Sequence, residues 1–176
     1  PMKFGISFTT KFLNQGNALV NIYKDGTVQV STGGTEMGQG LNTKIRQLVA
    51  DEFSISYDDV RVMITSTEKN NNTSPTAASA GTDLNGYAAV IACRKIRKNL
   101  TKFASSYFTE KLGLNPAPEH ICFENGDSSD NSSVFDDRNP ENRLTFQELV
   151  KLAFMDRVSL GERGFYRTPG VGFNQF

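Results

Sequence analysis

Residues 32 to 44 read TGGTEMGQGLNTK, and residues 72 to 82 read NTSPTAASAGT. Each is a run of small residues that delivers the chain into a helical pattern. Glycine weakens helices and strands, so a cluster marks an unusual turn or a close approach by another group. Helix N-termini offer unpaired N–H groups and partial positive charge, and small residues let an anion reach them. The hydroxyls of Ser79 and Thr82 add donors, and the Gln39 amide both donates and accepts. This set suits a phosphate joined to a heterocycle. The plainer reading is a pair of turns with Ser, Thr and Asp as caps, and on spacing alone both readings stay open. The Gly-Lys-Ser/Thr ending of a P-loop is missing from GGTEMGQG.

Other chemistry-bearing residues are sparse. His120 is the single histidine, so a Ser-His-Asp or Cys-His arrangement has one available base. It follows the proline-rich NPAPE and reads as a surface residue. Cys93 and Cys122 make no disulfide framework and read as buried small hydrophobes. No histidine–cysteine cluster has zinc-site spacing. Glu36, inside the glycine loop, could orient backbone N–H groups and reads as structural rather than as an acid or base. Arg163 and Arg167 could pair with a phosphate but read as solvated. Asp127, Asp130, Asp136 and Asp137 lack calcium-loop spacing and read as a solvated run.

Both runs need elements to position them. ALVNIY and VQVST favour strand, and the Asp25–Gly26 pair between them signals a hairpin. With the strand-like GISFTTKF before them, the first 32 residues read as an antiparallel meander. Leu41, Ile45, Leu48, Val49 and Phe53 then recur at helical spacing. VRVMIT, residues 60 to 65, predicts a short strand. Leu84, Ala88, Ile91, Ala92, Ile96, Leu100, Phe103 and Ala104 trace one face of a long helix. HICFEN predicts a strand, residues 126 to 143 an exposed excursion, and TFQELVKLAF a short helix opened by a Thr145–Glu148 capping box. The end, GERGFYRTPGVGFNQF, reads as loop or edge strand. The fold class is α+β, an antiparallel strand meander followed by helices, in one domain over residues 1–176.

The chain has 176 residues, with 19 Lys and Arg against 19 Asp and Glu. That length can bury a core without staples. Zero net charge gives no basic field for nucleic acid and favours self-association. No stretch approaches the roughly twenty apolar residues of a membrane span. Two cysteines and no visible signal peptide point to a reduced, cytoplasmic setting.

GGTEMGQGLNTK, then NNNTSPTAASAGTDLNG, then GFYRTPGVGFN together resemble the molybdenum-cofactor-binding subunit of the molybdenum hydroxylases. Within them the chain looks closest to the large subunit of the bacterial xanthine dehydrogenases. The likeness covers nearly the whole chain and falters at residues 125 to 143. It implies that residues 1–176 are a partial molybdopterin-binding domain of a larger subunit. It also implies a molybdopterin cofactor, plain or as a dinucleotide, and oxidative hydroxylation of a purine such as hypoxanthine or xanthine with water as oxygen source. An aldehyde-oxidising relative and a standalone binding or assembly module are the alternatives. Iron–sulfur clusters and FAD would sit on partner chains or domains. The resemblance places Met37, Gly38, Gln39 and Gly40 along the pterin and its phosphate, and the Ala78 backbone at the molybdenum. Ser79, Ala80, Gly81 and Thr82 fall on the turn that hydrogen-bonds the cofactor. Gly81 stands where relatives often carry a small hydroxyl residue. The family's catalytic glutamate is expected beyond Phe176, so no catalytic residue is assigned, and the chain alone is expected to be inactive.

Overall fold

The structure is a computed structural model that describes residues 14–69, 73–77, 79–126 and 131–170. The expected strand GISFTTKF, Ala78, Asp127, Asp130 and most of PGVGFN lie outside the described residues.

Strand β1 (Gln15–Ile22) alternates half-buried and buried positions, and β2 (Val28–Thr32) continues the pattern. This is the period-two signature of strands with one face on a core. They pair antiparallel, Val20 opposite Val30, around the turn containing Asp25 and Gly26. The Asp25 carboxylate accepts from the Thr27 N–H at 3.0 Å and from its hydroxyl at 2.7 Å, which pins the turn. After the glycine loop comes α1 (Leu41–Phe53), with Leu41, Ile45, Val49, Ala50 and Phe53 buried. Strand β3 (Val60–Val62) is shorter than expected and runs parallel to β2.

A five-residue π-helical turn (Thr82–Gly86) leads into α2 (Tyr87–Leu112). At 26 residues α2 is about 39 Å long. Strand β7 (Gly161–Arg167) returns antiparallel beside β1, giving the sheet order β3-β2-β1-β7 among the described residues. Val20, Val30, Ile45, Val49, Ile96 and Leu100 have no exposed surface and form the centre of the core. Cys93 is fully buried there, whereas Cys122 is only half-buried. Burial, aided by the nearby Glu52 charge, pushes the Cys93 thiol well above its usual range.

Half of the stretch read as an exposed excursion belongs to a second sheet. Strands β4 (Ile121–Glu124), β5 (Ser133–Asp136) and β6 (Asn139–Thr145) pair antiparallel in that order. Val134 and Asp136 have no exposed surface. The Asp136 carboxylate accepts from the Arg138 N–H and Nε, both at 3.2 Å, and from Asn139 Nδ2 at 3.0 Å, so it organises the β5–β6 turn. A buried, hydrogen-bonded carboxylate breaks the apolar alternation that would have announced the strand. Asp137 remains exposed and meets His120 Nδ1 at 2.9 Å. Helix α3 (Phe146–Met155) follows, with the expected capping box formed by Thr145 and Glu148.

Candidate functional site

The glycine loop leaves β2 at Thr32 and is tied down at once. The Thr65 hydroxyl donates to the Gly34 carbonyl at 2.8 Å. The Thr35 N–H donates to Thr76 Oγ1 at 2.9 Å, which joins the two small-residue runs across 41 residues of sequence. Beyond Thr35 the loop is exposed as far as Gln39. Gly38 and Gly40 have φ of 93° and 74°, a region that disfavours residues with a Cβ, and a Cβ at either would meet nothing within 4 Å. Their glycines serve backbone shape and leave open space above it.

Glu36 fills the role of anion at this helix start. Its Oε1 accepts from the Gly38 N–H at 2.9 Å and the Gly40 N–H at 3.1 Å, and its Oε2 accepts from the Asn42 N–H at 2.9 Å. The expectation that small residues leave these donors open for a ligand is therefore corrected. Gly40 has no side chain with which to cap α1, and Glu36 caps it from four residues upstream. Gln39 is also turned inward on its own loop. Its Oε1 accepts from the Met37 N–H at 2.6 Å, and its Nε2 donates to the Thr35 carbonyl at 2.8 Å.

The Asn42 N–H, then those of Gly40 and Gly38, hold the Glu36 carboxyl below its ordinary 4.5. A lowered pKa means that Glu36 stabilises the folded loop above the ordinary glutamate value and loses that effect as pH falls through the lowered value. Slowed amide exchange at Gly38, Gly40 and Asn42 is expected to persist as pH drops past 4.5 and to vanish only at more acid pH. Loss of protection already at pH 5 to 6 would sink this account of the loop.

The second run is fixed from the sheet side. The Ser74 N–H donates to the Gln15 carbonyl at 2.9 Å, and the Gln15 N–H returns a bond to Ser74 Oγ at 3.1 Å. The Thr73 hydroxyl donates to Asn85 Oδ1 at 3.2 Å. Ser79 takes a left-handed φ of 58°, a conformation that non-glycine residues hold only when their surroundings impose it. Instead of opening as an ordinary α-helix, the chain enters the π-turn, a form that often marks functional positions. There Leu84, Asn85 and Gly86 are all buried in succession. Gly81 has φ of −57° and needs no special freedom, but a Cβ there would press on the Leu41 side chain at 3.1 Å.

Together the two runs line one cavity of about 260 Å³, walled by Met37, Gln39, Leu41, Lys44, Thr76, Ala77, Ser79, Ala80, Gly81 and Thr82. Six of the nine expected site residues are in that wall. Gly38 and Gly40 hold the loop's shape instead, and Ala78 is outside the described residues. Leu41, Lys44, Thr76 and Ala77 lay inside the two quoted runs but were not assigned to the site; Lys44 is one helical turn beyond Gly40. Arg163 and Arg167 lie on β7, away from this wall. A larger open groove of about 890 Å³ lies at the opposite end of β2, lined by residues such as Tyr23, Val28, Met63 and Phe154, and contains none of the expected site residues. Among the described residues no group of three or more His, Cys, Asp or Glu could hold a metal ion.

Comparison with known proteins fits this geometry. Residues 1–175 match the family described as molybdopterin cofactor-binding domain. Xanthine dehydrogenase of Dictyostelium discoideum is 43% identical over 173 residues, which is 98% of this chain and 10% of that protein. Xanthine dehydrogenase of Oryza sativa subsp. japonica is 41% identical over 174 residues, 99% of this chain and 10% of that protein. The chain thus spans about a tenth of the length of these curated relatives. Among solved structures, reconstituted CO dehydrogenase from Oligotropha carboxidovorans superposes with a TM-score of 0.72 at 22% identity, covering 89% of this chain and 18% of that one. Quinoline 2-oxidoreductase from Pseudomonas putida 86 gives a TM-score of 0.68 at 24% identity, over 89% of this chain and 19% of that one. At those identities the likeness shows the α+β fold alone.

Proposed function

The chain belongs to the molybdopterin cofactor-binding domain family, and we propose that it supplies two loops of the cofactor pocket in a xanthine dehydrogenase-like molybdenum hydroxylase. The observation that carries this reading is the meeting of residues 37–44 and 76–82 around one cavity, locked by the Thr35–Thr76 bond. The donor set fits a pterin bearing a phosphate: hydroxyls at Thr76, Ser79 and Thr82 and an ammonium at Lys44. About 260 Å³ lies just below the usual range for a ligand pocket, which supports a partial wall that other parts of a larger subunit complete.

In this reading Met37, Gln39 and Lys44 form one side of the cofactor site. Ser79, Ala80, Gly81 and Thr82 form the other, with the Ala78 backbone beside the metal. When bound, the cofactor supplies the redox centre at which a purine carbon is hydroxylated with oxygen from water. The residues of this chain bind and orient, and none is assigned an acid–base role. Electrons would leave through iron–sulfur and flavin groups on partner chains or domains. Identity of 43% to a xanthine dehydrogenase favours a purine substrate over an aldehyde.

The test uses the polypeptide that contains this sequence, purified from its own cells, with mass, molybdenum and purine-hydroxylating activity measured together. A mass several times that of 176 residues, with stoichiometric molybdenum and turnover of hypoxanthine or xanthine, is the expected result. Absence of molybdenum and pterin from the native polypeptide would overturn the proposal.

A further inference from the structure

We propose that the anionic end of the ligand is held by Lys44, because Glu36 has already occupied the helix N-terminus that would otherwise receive it. This rests on the molybdopterin reading and assigns the site its charge partner. Both Glu36 oxygens are engaged, on the N–H groups of Gly38, Gly40 and Asn42. A phosphate approaching those donors would meet a fixed negative charge and no free N–H among the three. The start of α1 therefore repels the group it would attract in a loop without Glu36.

Lys44 is the only charged side chain among the ten residues that line the cavity. Its Nζ turns back to donate to the Gln39 carbonyl at 3.2 Å. An ammonium carries three donors, so two remain for a ligand or solvent. A cation in the first turn of a helix opposes the helix dipole, so the dipole does not favour a lysine at this position. The hydroxyls of Thr76, Ser79 and Thr82 stand in the same wall and can complete the shell of a phosphate. Glu36 is thus a positioning residue that shapes the loop and turns a second anion away, and Lys44 is the contact.

The experiment compares the purified full-length polypeptide with its Lys44→Met and Lys44→Arg variants. Each passes through gel filtration at low and at high salt, and pterin per polypeptide is read by fluorescence after oxidation. Lys44 is exposed, so either variant keeps the fold. Loss of one charge-assisted bond predicts about tenfold less retained pterin in Lys44→Met at low salt. The wild-type protein should lose pterin as salt screens the contact, and Lys44→Met should not respond. Lys44→Arg should keep both the pterin and the salt response. Retention by Lys44→Met equal to wild type, with the same salt response, would overturn the assignment and leave the cofactor reading intact. A wild-type polypeptide without pterin would overturn both.

Discussion

Replacing Gly164 with valine is expected to destabilise the folded protein by about 3 kcal/mol. A Cβ at Gly164 would overlap the Ala88 carbonyl oxygen and come within 2.8 Å of the Ala92 nitrogen. Both are backbone atoms of α2, so no side-chain rotation relieves the clash. Either β7 leaves β1 or α2 lifts from the sheet, and the core between them is lost. For a protein of this size such a change lowers Tm by roughly 6–12 °C. Gly113→Ala is the control, because Gly113 has φ of 66° and a Cβ there meets nothing within 4 Å. It should cost only the left-handed penalty of about 1–2 kcal/mol. Equal midpoints for the two variants in thermal or denaturant unfolding would show that close approach at Gly164 is not what holds β7.

Replacing Asn85 with leucine should act on the site more than on the fold. Asn85 is 1% exposed, bonds the second run and packs beside the first. It accepts from the Thr73 hydroxyl at 3.2 Å, and its Nδ2 lies 3.2 Å from where a Gly34 Cβ would sit. Leucine has similar bulk and no polar atoms. Thr73 would keep only its long 3.4 Å contact to the Gln15 carbonyl. The lost buried hydrogen bond costs about 1–3 kcal/mol. The runs would then be joined by the Thr35–Thr76 bond alone, so pterin per polypeptide is expected to fall about tenfold while Tm falls by a few degrees. Full pterin content in Asn85→Leu would show that the Thr35–Thr76 bond suffices to align the runs.

Much of the fold was legible because it follows simple periods. The β1–β2 hairpin was announced by Asp25–Gly26 between alternating strands, α1 and α2 by their apolar spacing, and α3 by Thr145 and Glu148. Of the second sheet, β4 was read from HICFEN, but β5 and β6 were hidden because β5 is four residues long and ends on a buried Asp136, whose Arg138 and Asn139 partners become visible only in three dimensions. At the site, the two runs could be read from glycine and hydroxyl content. Their meeting depends on Thr35 and Thr76, and 41 residues of separation leave no periodic trace. Glu36 was recognised as a residue that orients N–H groups, yet the same loop was expected to present those groups to a ligand. Those two expectations conflict, and the hydrogen bonds decide for Glu36. Lys44 was passed over because one lysine on an exposed helix face resembles any solvated lysine.

The π-turn from Thr82 to Gly86 also sets an angle. An α-helix advances about 100° and 1.5 Å per residue, and a π-turn takes up one residue that the α spacing does not. With α2 seated on β7 at Gly164, dropping one residue from the turn would swing Ser79 to Thr82 by about 100° around the helix axis. Their hydroxyls would then face away from Met37 and Lys44. The relative phase of the two cavity walls is therefore stored in chain length. Substitutions within the turn can leave that phase intact, whereas a single deletion or insertion changes it whatever residues remain.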